Sequence, residues 1–207
     1  MLEFAAKHPD KLIDALLEHL EIVLITLIIS LLLAAALTVI SMKIEPVSRI
    51  LIQFFSVIYS VPSLALFALL IPVTGLGMKT AIIVLVIYNQ YLLLRNFISG
   101  LNEVDPAVVE AARGLGMTEM QILMKIRLPL AKRALFAGVH LAAVSTIGIA
   151  TIAASINAGG LGTLLFDGLR TMNTDKILWG SILSAGLAIV VNGLLGGIEK
   201  RIGRVRQ

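Results

Sequence analysis

Cysteine is absent from the 207 residues, which excludes disulfides, thiolate metal sites and thiol nucleophiles and fixes no redox compartment. Charge is scarce as well: Asp, Glu, Lys and Arg make up 14% of the chain against 58% hydrophobic residues, and the mean hydropathy is +0.97. That balance lies outside the range of soluble domains. Apolar runs of about 20 residues, each enough to cross roughly 30 Å of hydrocarbon, use up most of the chain and leave no room for a soluble catalytic domain. Aromatic residues amount to 5% and never interleave with a basic stripe, so the net charge of +4 does not point to nucleic acid. His8, His19 and His140 are far apart in sequence, and without metal-ligand spacing no metal site is expected. The run from Gly75 to Thr80 does not place glycine next to lysine as a phosphate-binding loop requires. No serine lies in a nucleophile elbow and no carboxylate pair falls within an apolar run, so no catalytic residue is expected. The missing intramembrane Asp and Glu also argue against a proton-driven carrier, which usually needs such groups as relays.

Five apolar runs are expected as membrane helices, over residues 20–40, 50–71, 80–97, 135–156 and 177–198. The first ends near Ala34, Ala35 and Ala36, as a secretory leader would. However, Glu3, Asp10, Asp14, Glu18 and Glu21 precede it against only Lys7 and Lys11. A leader is basic there, so this span is expected to stay uncleaved. Within residues 1–19, His8, Pro9 and Asp10 mark a helix start, and Leu12, Ile13, Leu16 and Leu17 recur at helical spacing. A short amphipathic helix lying in the membrane interface is expected there. The chain reads as one transmembrane domain, 1–207, all-α, with residues 98–134 as a polar loop.

Lysine and arginine set the orientation. With the N-terminus outside, the inner side carries Lys43, Arg49, Arg95, Arg113, Lys125, Arg127, Lys132, Arg133, Lys200, Arg201, Arg204 and Arg206. The outer side carries Lys7, Lys11, Lys79, Arg170 and Lys176, a split of 12 to 5 that accounts for all 17. The positive-inside rule therefore puts the N-terminus outside, the C-terminus in the cytoplasm and the 98–134 loop in the cytoplasm. Trp179 then falls at the outer interface as a belt anchor.

That loop opens with Asp105 as an N-cap and Pro106 at the first helical position. Gly114 and Gly116 interrupt the helix, and Thr118 with Gln121 forms a capping-box pattern for a second short helix that ends before Pro129. Its stripe of Ile122, Leu123 and Ile126 is expected to seat in a partner's groove.

Glu110, Ala111 and Ala112, then Gly116, then Ile126, Arg127, Leu128 and Pro129 match, with their spacing, the EAA loop, and the chain resembles ABC importer permeases. The resemblance implies a type I importer permease fold of about five transmembrane helices. It also implies a coupling helix that docks on a separate ABC ATPase through Glu110, Ala111, Ala112, Gly116, Ile122, Ile126, Leu128 and Pro129. It covers nearly the whole chain. Ser60 to Leu66, Ile71 with Pro72, and Gly75 to Gly77 are similar to the second-span region of glycine betaine, carnitine and choline permeases. Asn157 to Gly162 is similar to their glycine-rich segment after the fourth span. Lys132 and Arg133 depart from the pattern, since those permeases commonly carry a second proline there. The implied setting is a bacterial cytoplasmic membrane. The implied partners are an ABC ATPase, a second permease copy or paralogue, an extracellular substrate-binding protein and the lipid bilayer, with no nucleic acid. No cofactor is expected on this chain, and ATP and magnesium belong to the ATPase.

The fourth span is rich in small residues, and Ala142, Thr146, Ala150 and Ala154 share one face. Close helix approach is expected to make this either a dimer-facing, pathway-lining stripe or a seam of packing within the chain. The candidate pathway and gate residues are Pro62, Thr146, Ala150, Asn157, Gly159 and Gly160, with Pro62 breaking the ladder of the second span. Asn89 and Gln90 are expected to face protein or a water-filled path. A small sodium-coupled carrier, an ABC permease for another small solute and a non-transporting membrane scaffold are the alternative readings.

Overall fold

The computed structural model describes residues 2–42 and 45–204, and every regular element in them is helical. Helix α1 (Leu2–Lys7) leads into α2 (Pro9–Ser41), followed by α3 (Glu45–Ser60), α4 (Ser63–Thr74) and α5 (Met78–Asn102). Helices α6 (Pro106–Gly114) and α7 (Glu119–Ile122) come next, and α7 passes through a π-turn, Leu123–Arg127, into α8 (Leu128–Ala153). A 3-10 turn, Ala154–Ile156, precedes α9 (Gly162–Arg170) and α10 (Thr174–Arg204). Four helices are long and apolar enough to cross a membrane, and a fifth crossing exists if the α3–α4 pair counts as one. The chain is a multi-pass membrane protein. Lys43 and Arg206, two of the twelve basic residues expected on the inner side, lie outside the described residues.

Helix α5 is the axis of the bundle, packed by α8, α2, α3 and α4. It is also the most buried of the membrane-crossing helices. Around it Ile22, Val23, Phe67, Val84, Leu85 and Ile147 form one core, and Ala34, Leu93, Leu94 and Ala142 form a second towards the C-terminal end of α5. The outward faces carry Leu24, Ile28 and Leu32 on α2 and Ile189 and Leu194 on α10, all well exposed. In a bilayer those faces meet acyl chains as apolar as themselves.

Three expectations need correction. Residues 1–19 do not form a separate interfacial helix: from Pro9 onward they are the first turns of the same 33-residue helix that crosses the membrane. The buried stripe Leu12, Ala15, His19, Ile22, Val23, Thr26 and Ser30 runs on at helical spacing with no breaker, so packing carries the helix straight through. The second span is not one rod, because the chain bends by 99° between Ser60 and Ser63. Pro62 lacks the N–H that would continue the ladder, and it stands as N-cap of α4. Pro129, finally, does not end the loop's second helix. The preceding π-turn, in which the Leu128 N–H donates to the Leu123 carbonyl, widens the helix just before the proline. A continuous helix from 119 to 156 results.

Candidate functional site

The polar loop between α5 and α8 forms a small folded unit. The Asp105 side chain accepts the Ala107 N–H at 2.8 Å and caps α6. At the elbow, Gly116 has φ +80°, a left-handed conformation that a side chain disfavours, although nothing lies within 4 Å of where its Cβ would stand. The requirement there is backbone conformation, not space. Thr118 and Gln121 then close a reciprocal capping box, with the Thr118 N–H on Gln121 Oε1 at 2.8 Å and the Gln121 N–H on Thr118 Oγ1 at 3.3 Å. Arg113 Nε meets Glu119 Oε1 at 2.8 Å across the elbow. Val109, Ala112 and Ile122 form the unit's own core, with Met117 and Ile126 packed on it.

This core reverses part of the expected docking surface. Ile122 and Ala112 are buried and Ile126 half-buried, so the stripe expected to seat in a partner's groove holds α6 against α7 instead. Leu128 and Pro129 are half-buried at the start of α8. The outward face is built by Glu110 and Ala111 together with residues not singled out from sequence: Leu115 at 83% exposure, Met120 at 53% and Met124 at 56%. Their signal was present in principle, since Val108, Ala111 and Leu115 lie at i, i+3 and i+7. Apolar spacing alone, however, does not say which of two stripes turns inward.

A second constellation lies between the spans. Asn89 on α5 donates to Ser30 Oγ on α2 at 3.2 Å and to Thr146 Oγ1 on α8 at 2.8 Å, and the Thr146 hydroxyl donates to the Ala142 carbonyl at 2.7 Å. Gln90 Nε2 reaches the Ser30 and Val86 carbonyls at 3.3 and 3.1 Å. Asn89 and Gln90 face protein, as one of the two expectations had it. The stripe Ala142, Thr146 and Ala150 faces the chain's own helices with 0–1% exposure, not a second subunit or a path. Small side chains let α5 and α8 approach closely within one chain. Thr146 and Ala150 therefore do not line a path in this structure.

The glycine-rich segment after α8 is a clasp on α2. The Gly160 N–H donates to Glu18 Oε2 at 2.8 Å and the Leu161 N–H donates to His19 Nδ1 at 3.3 Å. His19 Nε2 therefore carries the proton and donates to the Ile147 carbonyl at 3.2 Å. Gly160 has φ +80°, and a Cβ there would stand 2.9 Å from His19 Nδ1. Asn157 also adopts a left-handed conformation, and Gly77 donates to the Ile156 carbonyl at 2.8 Å, tying the start of α5 to the end of α8. Asn157, Gly159 and Gly160 are thus brought together, on the same side as the start of α5. Beyond them, Lys176 and, to a lesser degree, Arg170 both pair with Asp167 and hold its carboxyl below the usual carboxylate range. Pro62 stands apart, exposed at the α3–α4 bend, where the Tyr88 hydroxyl donates to the Val61 carbonyl. Among the described residues no cluster of His, Cys, Asp or Glu could hold a metal.

Residues 26–204 match the family described as binding-protein-dependent transport system inner membrane component. The chain is 38% identical over 185 residues to the carnitine transport permease protein OpuCB of Listeria monocytogenes, covering 89% of this chain and 85% of that one. It is 32% identical over 202 residues to the choline transport system permease protein OpuBB of Bacillus subtilis, covering 98% and 93%. It is also 38% identical over 142 residues to the ergothioneine transport permease/ergothioneine binding protein EgtU of Helicobacter pylori, 69% of this chain but 26% of that one. Among solved structures, a chain of the inward-facing MetNI methionine ABC transporter superposes with a TM-score of 0.83 at 20% identity, over 95% of this chain and 98% of that chain. That likeness shows the fold, that of a type I importer permease. Importers of this family work with an ATPase and a substrate-binding protein. The chain belongs to the binding-protein-dependent inner-membrane component family and is a permease subunit of an ABC importer, not an enzyme.

Proposed function

We propose that the importer carries small quaternary-ammonium solutes of the carnitine, choline and glycine betaine class. The observation that carries this reading is the set of relatives at 31–38% identity named for those solutes, two of them matched over 98% of this chain. In this reading the permease sits in the bacterial cytoplasmic membrane with its N-terminus outside and its C-terminus inside, as the 12 to 5 basic split supports. It pairs with a second copy or a paralogue and receives solute from an external binding protein. The ATPase docks on the face of Glu110, Ala111, Leu115, Met120 and Met124, with Gly116 setting the angle between the two short helices. ATP and magnesium stay on the ATPase. The bend at Pro62 is the hinge of the gate, and Asn157, Gly159 and Gly160 brace its outer side.

The test is ATPase activity of the assembled complex in proteoliposomes. Binding protein loaded with carnitine, glycine betaine or choline should stimulate it, and the isolated permease should show none. Ergothioneine import is the second reading, favoured by the 38% match to EgtU. Stimulation by ergothioneine or methionine alone, with none by the three ammonium solutes, overturns the first reading.

A further inference from the structure

All three tyrosines of the chain meet at the bend of the second span. Tyr59, in the last turn of α3, lies 5.0 Å from Tyr91 and 5.5 Å from Tyr88, ring centre to ring centre, and both partners are on α5. Tyr88 is buried and holds the Val61 carbonyl, while Tyr59 and Tyr91 are half-buried. At about 1.5 Å per residue, Tyr91 lies some 16 Å below Thr80, roughly half-way through the hydrocarbon.

The surface below these rings is polar where lipid-facing surface should not be. On α3, Gln53, Ser56 and Ser60 follow each other at i, i+3 and i+7. The neighbouring row of the same helix, Ile50, Phe54 and Val57, is apolar and 58–69% exposed. On α5, Tyr91, Arg95 and Ser99 recur every four residues, and Arg95 and Ser99 are exposed. The Ser60 hydroxyl is satisfied by the Val57 carbonyl of its own helix, but facing the Gln53 amide and the Arg95 guanidinium to acyl chains is costly, so this strip is turned away from lipid. Arg95 is the most telling member. Its side chain leans toward the N-terminus of α5, as helical side chains do, and meets Tyr91 one turn back: Nη1 donates to the Tyr91 hydroxyl at 2.8 Å, and Cζ stands 5.8 Å from the Tyr91 ring centre. One of the tyrosines, Tyr91, thus already holds a cation.

We propose that Tyr59, Tyr91 and Arg95 form a transit site for a solute carrying a quaternary ammonium at one end and a carboxylate at the other. The trimethylammonium takes the place of the guanidinium on the Tyr91 ring through cation–π attraction, with the Tyr59 ring 5.0 Å away beside it. The carboxylate takes the guanidinium of Arg95, which moves off the Tyr91 ring to meet it. The incoming ammonium thus replaces one cation on the Tyr91 ring with another, and the displaced guanidinium gains the carboxylate as a counter-charge. The site rests on the proposed function and adds to it a discrimination: a zwitterion engages both halves, whereas choline, which lacks the carboxylate, engages only the rings.

The test uses the complete importer, with ATPase and loaded binding protein, in proteoliposomes, measuring labelled carnitine and choline uptake in the same preparation. Tyr59→Leu should slow both solutes by roughly 3- to 30-fold, and Tyr59→Phe, which keeps the ring, should restore them. Arg95→Gln should lower the carnitine-to-choline uptake ratio by about tenfold, and Arg95→Lys, which keeps a cation, should recover most of it. The ratio does not depend on how much protein folds. An unchanged ratio in Arg95→Gln, or wild-type uptake of both solutes by Tyr59→Leu, overturns the site. Failure of the wild-type complex to import or respond to either solute overturns the functional reading, and the site falls with it.

Discussion

Gly160 and His19 form a contact in which two residues constrain each other. The glycine must hold φ +80° and leave room for the imidazole, and the imidazole must keep its Nδ1 bare to accept the Leu161 N–H. Gly160→Ala should therefore cost about 1–2 kcal/mol from backbone conformation alone, with the close approach to His19 adding to it. The expected outcome is a lower unfolding temperature in detergent, followed through the fluorescence of Trp179, the single tryptophan. An unchanged midpoint would show that the clasp does not hold α2. Asn89→Leu acts in the middle of the bundle instead. It leaves the Ser30 and Thr146 hydroxyls without their shared partner, and interhelical bonds of this kind contribute about 0.6 kcal/mol, up to about 1.7. The same fluorescence readout should register a smaller loss than for Gly160→Ala.

Among the helical elements, α6 and α7 separate docking from folding. Ile122 lies in the core of the loop at 0% exposure, so Ile122→Ala should destabilise the unit by about 2–5 kcal/mol. That loss should appear as faster proteolysis or amide exchange over residues 104–126. Leu115 lies on the open face, and Leu115→Asp should leave exchange unchanged while the ATPase no longer copurifies. Gly116→Val combines the two effects: a β-branched residue strongly disfavours the left-handed elbow, so membrane insertion should be normal and transport lost. Copurification of the ATPase with Leu115→Asp at the wild-type level would show that docking uses another face.

For the molecule as a whole, the absence of cysteine makes topology directly measurable. In intact cells Ala107→Cys should resist a membrane-impermeant maleimide and Thr174→Cys should react. Both positions are exposed, so the contrast reports sidedness, not burial. The reverse pattern would invert the molecule and place the folded α6–α7 unit on the wrong side for an ATPase.

Composition and hydrophobic run length were enough to determine a helical membrane protein of about five crossings, and the spacing from Glu110 to Pro129 to determine its family. These properties are local: an apolar run is long enough to cross or it is not, and caps such as Asp105 and Thr118 act within three residues. Which face of a helix turns inward is not local. The Ala142–Thr146–Ala150 stripe and the Ile122–Ile126 stripe both have the spacing of an interface, and only packing against α5 and α6 showed that each interface lies within the chain. The bend at Pro62 was legible as a weakness in one helix, but its 99° angle needed α5 to hold both halves. Tyr59, Tyr88 and Tyr91 are separated by up to 32 positions and share no motif. They meet because α3 lies along α5, a pairing fixed by summed side-chain contact between helices that no local pattern encodes.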